Sequence, residues 1–320
     1  MNLTVKARII IGFVAISALL LIISVFSLVN LSSVHDDVEE VNKVAMPTVV
    51  GSNTLKATFL NMGRLTFEAY ISEDIPSVET SQTNFNEANQ RFDAAYKSLA
   101  VTVKNDPKLK ASLQTVRGQY EEYLSTVNSL YDSHLQYLHK RNEVSSRLMD
   151  VEDNADDAST YLLDFSDTDE VARSTKLKKA SQLGSELETR LLTLMTVTSD
   201  YIKTQTLVRA DTLSNEVKFA VDAINEQLDA MLAAADGQDS TGMLSDIEGL
   251  VNDAIDAVTG SDGIIQLHMT RLELRNKTQQ SLSQADNKAS EAINELENLL
   301  ALTNQKAKSL EEKVTDSVAT

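Results

Sequence analysis

One uninterrupted apolar stripe dominates the sequence between Leu113 and Phe165. Its members, such as Val116, Tyr120 and Tyr123, are spaced alternately three and four residues apart, so they share one face of an α-helix. The stripe covers 53 residues, and a helix of this length extends about 80 Å. A helix that long needs other long helices beside it, so the sequence predicts a bundle or a coiled coil.

Residues that break helices are rare, which favours an all-α fold. The 320 residues include 3 Pro and 10 Gly, too few for the turns of a many-stranded sheet. Six helical segments are predicted, because five loop-like clusters lie at 72–77, 104–107, 166–169, 235–242 and 260–263. In the fourth segment, 169–235, the stripe shifts phase near Ala210, which predicts a bend or a change of partner. The unequal lengths of these antiparallel helices predict two bundles stacked end to end, with the long helices running through both.

The segment from Ile9 to Val29 contains no charged residue and is long enough to cross a membrane. Lys6 and Arg8 precede it and an acidic segment follows, so we expect the N-terminus in the cytoplasm and residue 31 onward outside. A cleaved signal peptide is the alternative, although the apolar run is longer than usual for one and no clear cleavage site follows it.

Charge and cysteine content exclude several classes of function. The formal net charge is −18, which repels nucleic acid. The chain has no Cys, so thiol catalysis, disulfides and cysteine-ligated metals are excluded. No catalytic, metal-binding or dinucleotide-binding motif is present, and the four histidines are scattered. We therefore predict neither an enzyme nor a cofactor or metal site.

Two short patterns follow the apolar run: Ala45-Met46-Pro47-Thr48 and Met62-Gly63-Arg64. An N-terminal anchor followed by an acidic stripe helix with these patterns resembles the sensor regions of bacterial chemoreceptors, the methyl-accepting chemotaxis proteins. Six helices over about 31–283 are similar to their helical bimodular type, which also occurs in some histidine kinases. The resemblance implies two stacked four-helix bundles in the periplasm, dimerisation, and small carboxylates bound within the helices. Some members of this family instead sense a periplasmic binding protein.

The resemblance suggests four regions. We expect a cytoplasmic N-terminus at 1–8, a transmembrane helix at 9–29, a periplasmic sensor domain at 31–283, and a helical continuation at 284–320 toward a second span that this sequence lacks. The sequence contains no methylation helix, kinase-binding hairpin or kinase domain. It is either the N-terminal part of a receptor or a single-span protein of the inner membrane with another use.

Arg64 is the first candidate for ligand binding. Its guanidinium matches the geometry of a carboxylate, and Gly63 beside it would allow a ligand or another helix to approach closely. The alternative is a surface arginine paired with Glu68 one turn later. Pro47, in the same segment, predicts a kink or a helix restart.

Two further polar groups interrupt apolar stripes. His268, Arg271 and Arg275 share one face of the sixth segment, where they predict an anion site between helices or a solvated face paired with acids. His134 and Arg141 lie one heptad apart with Tyr137 between them. They would form a second pocket with aromatic walls, although a buried polar group that sets helix register is the favoured interpretation.

The favoured function is a periplasmic sensor that binds a small organic anion and relays a helix displacement to the membrane as a homodimer. Arg64, His268, Arg271 and Arg275 are the predicted binding residues. The alternatives are an anchored coiled-coil scaffold without a ligand, a sensor of a periplasmic binding protein of the histidine-kinase type, and a site for an amine.

Overall fold

The computed structural model describes the backbone of residues 5–319 and the side chains of residues 16–315. This part of the chain is helical and contains no strand, which confirms the predicted all-α fold. The helices are α1 (Val5–Glu40), α2 (Met46–Ile71), α3 (Ile75–Thr102), α4 (Pro107–Ser166), α5 (Asp169–Arg173), α6 (Thr175–Ile202), α7 (Leu207–Ala235), α8 (Met243–Thr259) and α9 (Ile264–Ala319).

The helices form two compact units, in agreement with the two predicted bundles. Unit 1 comprises Met1–Glu68, Thr80–Val127 and Ser283–Thr320, and unit 2 comprises Ala69–Glu79 and Asn128–Leu282. The boundaries fall inside helices, so α2, α3, α4 and α9 each contribute residues to both units. Residues 284–320, expected as a continuation beyond the sensor, are part of unit 1.

Unit 1 has an aromatic core built by α2, α3 and α4. Phe92 stacks on Tyr120 with ring centroids 3.7 Å apart, and Phe59 lies 4.7 Å from the ring of Tyr123. The Tyr123 hydroxyl is 3.1 Å from Thr66 Oγ1, and burial raises the pKa of Tyr123 to about 12. The 4-3 spacing of buried residues places these rings on one face of each helix, so they meet in one core.

A π-helical turn, Val41–Ala45, joins α1 to α2 immediately before Pro47. Proline has no amide hydrogen, so the regular α-helical ladder cannot continue through it. Thr48 Oγ1 instead donates a hydrogen bond to the carbonyl of Val44 at 2.6 Å. The irregularity predicted at Pro47 is therefore this wide turn.

Unit 2 has a separate apolar core. The second half of α4, together with α6, α7, α8 and the start of α9, supplies its buried side chains, among them Phe165, Leu191, Ile224, Val251 and Ile264. Gly184 of α6 packs closely, since a Cβ there would lie 2.8 Å from a methyl group of Leu162. Of these helices, α4 and α9 provide walls of the site described below.

The predicted fourth segment is wrong in one respect: it is three helices, α5, α6 and α7, and not one. The chain leaves the helix after Ile202 and restarts at Leu207, where Thr206 caps α7 by accepting a hydrogen bond from the Arg209 amide. This connection contains neither Pro nor Gly, so a search for helix breakers misses it. The stripe shift near Ala210 is the signal of this break.

One helix among the described residues is long and apolar enough to cross a membrane, judged by length and composition. It begins in α1, with a mean hydropathy of 2.1 and no buried residue in its most apolar window. Leu20, Phe26 and Leu31 are among its exposed side chains. The predicted cytoplasmic segment 1–8 lies mostly outside the described residues, because residues 1–4 and the side chains of Lys6 and Arg8 are not described.

A candidate anion-binding site in unit 2

A cavity of about 270 Å³ opens in unit 2. The end of α2 and the connection that follows it provide one wall, α4 provides the second, and α9 provides the third. In that order the lining residues are Tyr70, Ile71, Ser72, Glu73, His134, Tyr137, Leu138, Arg141, Arg275 and Thr278. The cavity thus brings together Arg275 and the group His134, Tyr137 and Arg141, which belong to two separate patterns in the sequence.

Side chains of α4 hold the connection between α2 and α3. His134 Nε2 lies 2.9 Å from the carbonyl oxygen of Ser72, and Arg141 Nη2 donates to the carbonyl of Glu73 at 2.5 Å. A carbonyl only accepts, so His134 carries its proton on Nε2. Burial lowers the pKa of His134, which keeps the ring neutral. The ring stacks on Tyr137, with centroids 5.8 Å apart.

Side chains of α9 hold the connection between α6 and α7 in a similar way. Arg271 Nη2 donates to the carbonyl of Ile202, the last residue of α6, at 2.8 Å. Arg275 donates to Gln205 Oε1, and His268 Nε2 lies 2.9 Å from Thr204 Oγ1. A cation at a helix C-terminus is favourable because unpaired carbonyls collect there.

The hydrogen bonds around His268 define its protonation state. Thr204 Oγ1 donates to the carbonyl of Tyr201 at 2.8 Å, so toward His268 it accepts. His268 therefore carries its proton on Nε2, and its buried Nδ1 has no hydrogen-bond partner among the described residues. Burial, with a smaller contribution from Arg271, lowers the pKa of His268 to about 4. His268 is a neutral, fully buried residue beside the cations.

Arg141, Arg271 and Arg275 all have neutral partners: two backbone carbonyls and one side-chain amide. Among the described ion pairs, which number 16, none includes any of the three. The pKa of Arg271 is lowered, first by burial and then by the charges of Arg275 and Arg141, against an opposing effect of the Tyr137 hydroxyl. Glu73, which is exposed, is the acidic residue of the cavity lining. Positive charge is thus concentrated here in a chain whose net charge is −18.

Arg64 lies elsewhere, on α2 in unit 1. Its side chain is 57 % exposed and pairs with Glu68, and Nη2 donates to Asn61 Oδ1 at 3.1 Å. A Cβ on Gly63 would meet nothing within 4 Å, so no close approach explains that glycine among the described residues. Of the four predicted binding residues, Arg275 therefore lines the cavity, Arg271 and His268 lie close to it on α9 without lining it, and Arg64 is not part of this site.

A second cavity of about 250 Å³ in unit 2 differs in its chemistry. It lies between α4 and α6, and its lining contains hydroxyl groups, leucines and Glu188 but no Lys or Arg. An anion would find no charge partner in it. Among the described residues no cluster of histidines and carboxylates has the arrangement of a metal site.

Several site residues had no signal in the sequence. Ser72, Glu73 and Ile202 contribute backbone carbonyls, and any residue type supplies a carbonyl. Gln205 and Thr204 lie in a connection that the breaker search missed. A polar interruption of a stripe does mark His134 and Arg141, but that pattern favours a register-setting role.

Comparison with known families supports a sensory class. Residues 2–132 match the model of a family described as a four helix bundle sensory module for signal transduction. This match confirms the resemblance to chemoreceptor sensor regions for that part of the chain. A search of curated proteins gave no significant match.

Among solved structures, the chain is similar to the sensor domain of the histidine kinase TorS from V. parahaemolyticus. The TM-score is 0.52 with 12 % sequence identity, over 79 % of this chain and 99 % of that one. At this identity the likeness shows the fold alone. Residues 2–132 thus match a helical sensory module, and the chain contains a candidate membrane-spanning helix.

Proposed function

We propose that this chain is the periplasmic sensor of a receptor anchored in a bacterial inner membrane, and that it binds a small organic anion in the cavity of unit 2. One observation carries the proposal: Arg141 and Arg275 line the cavity, Arg271 lies one turn from Arg275, and the hydrogen-bond partners of all three are neutral groups. In an acidic chain, cations without acidic partners around a cavity favour an external anion. The proposed binding residues are Arg141, Arg271 and Arg275, with His268 in support.

A small carboxylate fits this site best. Each guanidinium has five N–H donors and uses one or two, so donors remain for a ligand. A planar carboxylate accepts two parallel hydrogen bonds from one guanidinium. The cavity, about 270 Å³, is below the usual range for drug-sized ligands, which favours an anion of few atoms. A cationic amine would meet repulsion from Arg141 and Arg275.

The signal would travel along continuous helices. The end of α2 lines the cavity at Tyr70 and Ile71, and α2 follows α1 through the π-helical turn. A ligand shifts an equilibrium between two helix arrangements only by binding one of them more tightly. We propose that the anion favours one position of α2, which α1 conveys to the membrane. This role needs no catalytic residue.

A second copy of the chain is the proposed partner. Besides its buried stripe, α2 has an outward stripe with 4-3 spacing that includes Met46, Val50 and Leu60, which are 61 %, 64 % and 55 % exposed. An apolar stripe of this spacing is typical of a helix that packs against another helix. Two chains anchored in one membrane would present these stripes at the same height, which favours a parallel homodimer.

The absence of native cysteine permits a direct test of the dimer. Leu60→Cys in the membrane-embedded full chain should form a disulfide-linked dimer under mild oxidation. Asn86→Cys, exposed on α3, is the control and should remain monomeric. Equal cross-linking of both variants would contradict an interface on α2.

Binding measurements separate the candidate functions. Isothermal titration calorimetry of the full chain in lipid nanodiscs would compare acetate, succinate and methylamine. Heat of binding with succinate or acetate, and none with methylamine, is the expected result. Binding of methylamine alone would instead support a cation site, and the absence of binding to any probe would favour the scaffold.

The histidine-kinase alternative is a sensor that recognises a periplasmic binding protein. The fold of the TorS sensor domain is compatible with it, but the concentrated positive charge in a cavity favours a small ligand. Substitution of the cavity arginines would leave recognition of a protein on an outer helix face intact.

A further inference from the structure

The three arginines of the site belong to two different helices. Arg141 lies on α4, whereas Arg271 and Arg275 lie one turn apart on α9. Arg141 and Arg275 line the same cavity, and the charges of both act on Arg271. Like charges repel more strongly in a partly buried site than in water. The α4 and α9 walls of this cavity therefore carry like charges, and the acids nearby, Glu73 and Asp74, belong to the connection between α2 and α3.

A buried contact fixes α4 to α9 beside the arginines. Thr278 Oγ1 lies 2.9 Å from Ser133 Oγ, and Thr278 and Ser133 are both buried. Thr278 lies three residues from Arg275, and Ser133 lies eight residues from Arg141. Helices α4 and α9 are thus in contact at Ser133 and Thr278. Repulsion can separate them further along, where the arginines lie.

The same arginines hold the two connections of unit 2. Arg141 binds the carbonyl of Glu73 between α2 and α3, and Arg271 and Arg275 bind Ile202 and Gln205 between α6 and α7. A change in the separation of α4 and α9 at this level would therefore move both connections.

We propose that the ligand acts by cancelling charge: the repulsion of Arg141 from Arg271 and Arg275 holds α4 and α9 apart, and a bound carboxylate draws the two helices together with both connections. This inference rests on the proposed function, because the anion of that site supplies the negative charge. A ligand with two negative charges would draw the helices together more strongly than a ligand with one.

A carboxylate built into the cavity should replace the ligand. Arg275→Glu removes one positive charge and adds one negative charge beside Arg141 and Arg271. Arg275 is exposed, so the substitution does not disrupt the core. Arg141→Glu places the carboxylate on the other helix and serves as the second variant. Arg147→Glu, on the same helix but outside the cavity lining and paired with Asp150, is the matched control.

The experiment measures the separation of α4 and α9 in the full chain in nanodiscs. Spin labels on Asn142→Cys and Asn276→Cys are unique because the chain has no other Cys, and both sites are exposed. Pulsed electron–electron double resonance would give the distance between them with and without succinate. We expect succinate to shorten the mean distance by about 1–2 Å, the size of typical signalling helix shifts.

Arg275→Glu and Arg141→Glu should show the shorter distance without succinate and no response to it, whereas Arg147→Glu should respond as the unsubstituted chain does. If both cavity variants keep the longer distance, the charge-cancellation mechanism is wrong. Calorimetric binding of succinate to the unsubstituted chain decides the proposed function separately. Binding without any change in distance would therefore overturn the mechanism and leave the function intact.

Discussion

The two units use charged side chains differently. In unit 1, cations that link helices meet acids: Lys306 lies 2.6 Å from Glu40 and 2.7 Å from Asp106, and Lys288 lies 2.8 Å from Glu122. In unit 2, the arginines that link helices to connections meet backbone carbonyls and an amide. Both units thus use cations as cross-links, and unit 2 also has a neutralised one, Lys176 with Asp236, but the arginines at its cavity form no ion pair at those links.

This difference separates a structural role from a binding role. A cation that already has its carboxylate gains little from a second anion, because the pair is largely neutral. A guanidinium on a carbonyl keeps its full charge and most of its donors. The interiors of the two units differ as well. Aromatic rings fill the core of unit 1, whereas unit 2 contains the cavity. Four substitutions, in order of decreasing expected effect, test this contrast.

Truncation of the unit 1 core should have the largest effect, on stability alone. Phe59 is 1 % exposed and contacts the rings of Phe92, Tyr120 and Tyr123. Phe59→Ala should lower the free energy of unfolding by about 3–5 kcal/mol, measured by denaturant titration. Val101→Ala, 66 % exposed on α3, is the control and should change it little. A loss below 1 kcal/mol would contradict a tightly packed aromatic core.

Loss of a cavity arginine should affect binding more than folding. Arg141→Ala should weaken binding of succinate by roughly ten- to a hundred-fold, or about 1.5–3 kcal/mol, because a charge-assisted hydrogen bond is lost. Arg117→Ala in unit 1 removes an arginine already paired with Asp93 and Glu121. That variant should bind succinate normally in the same calorimetric titration. Equal losses of affinity in the two variants would remove the distinction between the units.

Acid should destabilise the chain through His268. Its pKa in the folded chain, about 4, lies below the unfolded value near 6.5. The unfolded chain therefore takes up the proton first, and stability falls as the pH decreases from about 6.5 toward 4. Between pH 7.5 and 5 the expected contribution is about 2 kcal/mol. His268→Gln should remove this contribution in denaturant titrations and leave that of His134, whose pKa burial also lowers; His139→Gln, at an exposed position, should retain both.

Arg64 should give the smallest effect. Its pair with Glu68 is exposed and one helical turn apart, so Arg64→Ala should cost only about 0.3–0.5 kcal/mol of stability. Arg64 does not line the cavity, so the Kd of this variant for succinate should stay within two-fold of that of the unsubstituted chain. A two-fold change in Kd corresponds to about 0.4 kcal/mol. A ten-fold loss would show that α2 contributes a binding residue from unit 1.

Much of the fold was predictable because long helices depend on local periodicity. The stripe on α4 predicted its length, and the clusters at 72–77, 104–107 and 260–263 predicted where helices end. Less of the candidate site could be predicted from the sequence. The face shared by His268, Arg271 and Arg275 was visible in the sequence, but its convergence with Arg141 depends on pairing α9 with α4. The partners of Arg141 and Arg271 are backbone carbonyls 68 and 69 positions away, and no side-chain pattern encodes that pairing.

The π-helical turn at Val41–Ala45 determines where the chain can lose a residue without disturbing α2. Such a turn holds one residue more than an α-helical turn, without rotating the helix on either side. The loss of one residue there would shorten it to an α-helical turn, without the hydrogen bond that Pro47 cannot donate, and leave the buried face of α2 directed at its core. The same loss between Thr48 and Thr66 would rotate all following positions by about 100° and bring polar residues into the core of unit 1. The junction between anchor and sensor is therefore the place where α2 can tolerate a single-residue deletion.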